Sequence, residues 1–181
     1  ILIIEKNKNL TVNKNWCFWN KPLNDFTENF DHEWKKISIA INKKEKILTE
    51  PGLKYLHIHS SKFFNVMKKR LEEKKVKILF NTKINTIKFK DDKYFLKIKK
   101  QFISSDYIFD SRPTNNKIEK SEKLFQHFYG YEVSFKKPVL DKDKVILMDF
   151  QNFKNGVEFM YVLPFTANKA LFESTYFSKR F

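Results

Sequence analysis

Apolar and polar positions alternate along much of the chain, and the alternation predicts strands. Ile37, Ile39 and Ile41 occupy every second place, and Tyr55 to His59 is a second short strand. Val76 to Phe80, Ile84 to Phe89 and Tyr94 to Lys99 follow, with Asp91-Asp92 as a hairpin turn between the last two. Ile103 to Asp110 reads as a further strand whose buried end is Tyr107-Ile-Phe109. Ile1 to Glu5, an all-apolar run closed by an acid, predicts a buried parallel strand with a carboxylate at its C-terminal edge. Two stretches instead carry a helical rhythm. Phe26, Phe30 and Trp34 stand four apart between Asp25 and Lys36. From Lys62 to about Lys74, Phe63, Phe64, Val66, Met67 and Leu71 share one face, and Ser60 or Ser61 supplies the cap. Asn7 to Asn15 is polar loop, and Trp16-Cys-Phe-Trp19 is a dense aromatic cluster on a loop before the helix-breaking Pro22.

Beyond the polar linker Thr114 to Lys123 the pattern is strands alone: Leu124 to Phe135, Val145 to Phe150, Glu158 to Pro164 and Ala170 to Ser178, with Asn152 to Gly156 as a turn. The expected fold class is therefore α/β, mixed with α+β character. Residues 1–120 hold the strand, helix, strand and hairpin order of a doubly wound, Rossmann-like domain with inserted segments, and residues 121–181 form part of an antiparallel-sheet domain. The first residues begin in mid-strand and the last follow a strand-like run, so a piece of a longer polypeptide is expected.

Composition changes this picture little. The net charge of +15 first suggests nucleic acid, but the arginines are only Arg70, Arg112 and Arg180, and lysines are scattered through every segment. A solvated lysine surface is the plainer account, and a basic nucleic-acid-binding module is kept only as a rival. The same lysines suit contact with an anionic membrane leaflet. No apolar run reaches the length of a membrane span. The single Cys17 excludes an internal disulfide framework and suits a cytoplasmic location. His57 and His59 would share a strand face near the surface, with no zinc-type spacing around them, so no metal site is expected.

Four places carry candidate chemistry. Glu5, at a strand end, is where dinucleotide-binding folds put the acid that accepts from ribose hydroxyls, although alone it reads better as a solvated charge. Asp110 and Arg112 sit where α/β sheets bind ligands. Arg112 suits a pyrophosphate, and a capped turn fits equally well. Trp16 and Trp19 are core, or the lining of an apolar cavity. Glu173 has Leu171, Thr175 and Phe177 on its strand face. Burial there would raise its pKa and suit it to proton transfer, while a strand-edge Glu facing water is the commoner case.

Six blocks, in order, resemble the motifs of bacterial lycopene β-cyclases: Asn15-Trp-Cys-Phe-Trp19, Asp110-Ser-Arg-Pro113, Phe125-Gln-His-Phe-Tyr-Gly-Tyr-Glu132, Leu147-Met-Asp-Phe150, Tyr161-Val-Leu-Pro164 and Ala170-Leu-Phe-Glu-Ser-Thr175. The resemblance implies a flavoprotein with an FAD-binding domain and a substrate domain, using reduced FAD with NAD(P)H as reductant. Its implied reaction is a non-redox, proton-initiated ring closure that turns the end groups of lycopene into β-ionone rings. It also implies peripheral contact with the inner face of the cell membrane. Glu173 matches the acid of the family's Glu-x-Thr motif, Glu5 the ribose-binding acid, and Asp110 and Arg112 a block near the cofactor. Ser174 stands where some members carry a second acid. Trp16, Trp19, Phe159 and Tyr161 are the expected π-rich lining for a carbocation. The rival within the same superfamily is an FAD-dependent isoprenoid reductase or monooxygenase.

Overall fold

The computed structural model describes residues 1–9, 13–21, 29–112, 124–151 and 156–179. Pro22, residues 25–28 of the Asp25–Lys36 stripe, Pro113, all of the 114–123 linker and residues 152–155 of the 152–156 turn lie outside them.

The chain forms two compact units, each assembled from separated stretches: residues 1–14 with 60–116, and residues 15–59 with 117–181. In the first unit β1 (Leu2–Ile4) pairs in parallel with β7 (Lys77–Leu79). The helix α1 (Ser60–Glu73) leads into β7. Ser60 is buried, and its Oγ accepts the Lys14 backbone N–H at 3.0 Å. A meander follows: β8 (Ile84–Lys90), β9 (Lys93–Ile98) and β10 (Gln101–Ser105). Asp91 and Asp92, both at positive φ, make the predicted turn between β8 and β9.

The second unit stacks a three-stranded antiparallel sheet on a six-stranded one. The smaller contains β2 (Asn15–Trp19), β3 (His32–Trp34) and β6 (Tyr55–His59), in the order β2-β6-β3. The larger contains β4 (Lys36–Ile41), β5 (Lys44–Leu48), β11 (Phe125–Ser134), β12 (Lys144–Gln151), β13 (Val157–Thr166) and β14 (Lys169–Ser178). Its order is β11-β14-β13-β12-β4-β5, antiparallel throughout except that β12 runs parallel to β4. Trp34, Ile37, Val145 and Leu163 form the core between the sheets, with Cys17, Tyr55, Tyr161, Phe165 and Leu171 packed against it.

The structure corrects four expectations. Trp34 is on a strand, not a helix: its ring is fully buried and its Nε1–H donates to the Pro164 carbonyl at 2.9 Å, so tertiary packing overrides a four-residue spacing. Trp16 to Trp19 is strand, not loop, because β6 supplies its hydrogen-bond ladder. The strand from Ile103 stops at Ser105, where the pairing with β9 ends at Tyr94 and the Ser105 hydroxyl closes a turn onto the Tyr107 carbonyl at 2.6 Å. Tyr107 and Phe109 are accordingly 82% and 99% exposed rather than buried. His57, expected near the surface, is 4% exposed, because the rings of Trp34 and Phe165 cover it. No helix among the described residues is long and apolar enough to cross a membrane.

Candidate functional site

Glu173 lies in the middle of β14, between two strands. Its direct neighbour on β13 is Tyr161, and its neighbour on β11 is Gly130. Side chains directly opposite in antiparallel strands share a face, so Tyr161 walls one side of the carboxyl and the other side has no side chain at all. A Cβ at position 130 would stand 2.9 Å from the Phe172 carbonyl oxygen and 3.2 Å from Glu173 Cβ. Glycine is therefore required by the close approach of the two strands. Phe159, opposite Thr175, continues the same face, and its ring meets Phe150 at 5.7 Å and Phe177 at 6.5 Å. Glu173 is half-buried. Burial pushes its carboxyl above the usual range, and the Thr175 hydroxyl, 3.5 Å from Oε1, opposes the shift.

Facing Glu173 from the smaller sheet are Cys17 and Tyr55. The Tyr161 hydroxyl donates to the Tyr55 hydroxyl at 3.1 Å, and the Cys17 thiol hydrogen-bonds with both. Burial raises all three: Cys17 to about 11, Tyr55 to about 12, and Tyr161 further still. The cluster is uncharged at any working pH. Trp19 lies on Tyr55 with centroids 4.9 Å apart. Trp16 alternates onto the opposite face of β2, away from Trp19 and Cys17. Of the residues singled out in the sequence, Glu173, Tyr161, Phe159 and Trp19 thus belong to one face-to-face arrangement, and Trp16 does not. Sequence reasoning missed Tyr55, Cys17 and Gly130. The available signal was polar tips within otherwise apolar strands, and a glycine inside a long strand.

The first unit holds the other candidates. Glu5 follows β1, and its Oε1 accepts the Asn7 N–H at 2.7 Å. A carboxylate has about four acceptor positions, so capacity for ribose hydroxyls remains. Asp110 lines a largely apolar cleft of about 860 Å³ together with Ile1 to Ile4, Ile103 and Phe109. Arg112 is held by Asp110 in a fork, with Nε at 2.8 Å from Oδ1 and Nη2 at 2.7 Å from Oδ2, and this pairing pulls the Asp110 carboxyl down to about 2. The guanidinium charge is thus already matched by a carboxylate.

A family model described as "Lycopene cyclase protein" matches residues 1–181. The chain belongs to this family. No curated protein sequence matches the chain. Among solved structures, the tetrameric form of 2-methyl-3-hydroxypyridine-5-carboxylic acid oxygenase superposes with a TM-score of 0.63 at 16% identity, covering 95% of this chain and 51% of that one. A flavoprotein/dehydrogenase from Cytophaga hutchinsonii gives 0.64 at 10% identity, covering 97% and 49%. A variant of HpxO from Klebsiella pneumoniae, complexed with FAD, gives 0.63 at 9% identity, covering 95% and 49%. These likenesses show the fold, a mixed α/β architecture rich in sheet. The cyclase-family chain spans about half the length of the structures it matches.

Proposed function

We propose that this chain supplies the proton-transfer site and part of the cofactor site of a lycopene β-cyclase, an enzyme of carotenoid biosynthesis. The observation that carries the reading is Glu173: a half-buried carboxyl with a raised pKa, flanked by Tyr161 and Phe159 on an apolar sheet face. A carboxyl so placed stays protonated nearer to neutral pH than an exposed one. It can give its proton to a terminal double bond of a polyene, which binds by dispersion and burial alone. The carbocation formed closes a six-membered ring by making one C–C bond, and loss of one ring proton leaves a ring double bond. One proton enters and one leaves, so no electrons are transferred overall. The ring faces of Tyr161, Phe159 and Trp19 supply the negative quadrupole that a desolvated cation needs, each worth about 1–2 kcal/mol. Gly130 leaves the other flank of the carboxyl open to a flat, apolar end group.

FAD fits the residues of the first unit in part. Glu5 has acceptor capacity for the adenosine ribose, and Asp110 and Arg112 stand by as a matched pair rather than as a free anion clamp. When bound in reduced form, the flavin would add negative charge near the cation. We further propose NAD(P)H as its reductant and peripheral contact of the lysine-rich surface with the inner face of the cell membrane, where the polyene dissolves.

The test is the full-length protein in lycopene-accumulating cells. The wild type should turn red cells orange-yellow by producing β-carotene, and Glu173→Gln should leave them red, with cyclised product reduced by at least ~100-fold. Normal cyclisation by Glu173→Gln would overturn the assignment of the acid. Unchanged lycopene with the wild type, or a hydroxylated or hydrogenated product, would favour the isoprenoid monooxygenase or reductase instead.

A further inference from the structure

Three polar groups packed partly buried between two sheets are costly if apolar residues would pack equally well. Cys17, Tyr55 and Tyr161 come from strands β2, β6 and β13, yet their polar tips meet at one point in the second unit. None of them is a charge partner for Glu173. Their bonds are made to one another, and the Tyr161 hydroxyl, the one opposite Glu173 in register, points its proton at Tyr55.

We propose that Tyr55 and Cys17 are positioning residues: they hold the Tyr161 hydroxyl away from Glu173, so that an apolar ligand at the carboxyl meets the ring face of Tyr161 and no competing donor. The inference rests on the reading of Glu173 as the proton donor. Its physical basis is that a hydroxyl donating to a carboxylate stabilises the ionised form and so weakens the acid. The other groups around the carboxyl leave that role to Tyr161. Thr175 reaches Oε1 only at 3.5 Å, Glu132 on β11 is diagonal to Glu173 and is paired with Lys169 at 2.5 Å, and Cys17 faces it as a neutral thiol. With the tether present, Glu173 keeps the raised pKa of a desolvated acid. With it cut, the Tyr161 hydroxyl is released to seek the nearest acceptor.

The experiment uses the full-length protein and reads the protonation midpoint of Glu173 from its infrared carboxyl band, assigned by its loss in Glu173→Gln. Tyr55→Phe/Cys17→Ala should lower the midpoint by about one pH unit, as a new hydrogen bond to the carboxylate would. Adding Tyr161→Phe should return it to the wild-type value, a rescue that general loosening of the core would not give. Tyr55→Phe alone, which removes a single oxygen, serves if the double variant does not fold, and should shift the midpoint in the same direction. An unmoved midpoint, or one that stays low after Tyr161→Phe, overturns the proposal. Product analysis on the same variants separates the two readings. A midpoint that moves as expected without cyclised product from any variant, the wild type included, sinks the cyclase assignment and leaves the positioning role standing.

Discussion

Two titratable side chains of the second unit, one buried and one half-buried, pull its stability in opposite directions as pH changes. His57 pairs through Nε2 with Asn15 Oδ1 at 2.8 Å, and its Nδ1 has no hydrogen-bond partner among the described residues. Burial lowers its pKa to about 4, against a partial pull upward from Asp31. Since the folded value lies below the unfolded one, the unfolded chain binds the proton first. Stability is therefore intact above about pH 6.5 and falls as pH drops toward 4, by roughly 2 kcal/mol. Urea unfolding at pH 7 and pH 4.5 should show this loss, and His57→Gln should flatten the dependence. Glu173 has the opposite sign: its folded pKa is raised, so its contribution is present below the ordinary carboxylate range and fades as pH rises through the folded value. Trp34 belongs to the same scale. Trp34→Phe leaves the Pro164 carbonyl without its donor in a fully buried place and removes ring volume, and should cost about 2–4 kcal/mol in unfolding free energy.

Strands were legible where alternation was strong and local. Ile37 to Ile41, Tyr55 to His59 and the Asp91-Asp92 hairpin all stand where the pattern put them. The expected antiparallel partners of the last strand are also present, and Leu171, Glu173, Thr175 and Phe177 share a face as period-two geometry requires. What failed either lacked an apolar rhythm or depended on partners distant in sequence. β5 is exposed along its whole length, with no apolar rhythm to reveal it, and the chain reaches it through Asn42-Lys43, both at positive φ. Trp34 looked helical because a spacing of four cannot distinguish a turn of helix from a strand pinned by one bulky ring. The meeting of Cys17, Tyr55 and Tyr161 is invisible in sequence, since each sits in a different strand and nothing local marks a shared destination. The contact of β11 with β14 yields its own prediction. Gly130→Ala forces a methyl against the Phe172 carbonyl and Glu173 Cβ, and should lower stability by about 1–3 kcal/mol, seen as a drop in Tm of several degrees.

At the scale of the molecule, protection should follow burial rather than sequence order. Hydrogen exchange should be slowest in β13 and β14 around Val162, Leu163 and Ala170, all 4% exposed or less, and fastest in β5 and in the stretch past Ser105. Uniform exchange across the six-stranded sheet would contradict this. The parallel pairing of β4 with β12 reaches further than stability. A chain made from its N-terminus at ~5–20 residues per second presents Ile41 roughly 5–20 s before Lys144 leaves the ribosome. Throughout that interval the Ile37–Ile41 strand has only its hairpin partner β5 within its sheet, while helix α1 and the β8–β10 meander emerge and can close on themselves. The nascent chain thus carries an apolar strand with one unpaired edge throughout that interval. It should be a client for a holding chaperone at that stage, and a charged replacement at Ile39, which faces Met148, should be felt first as lost yield of protein rather than as lost catalysis.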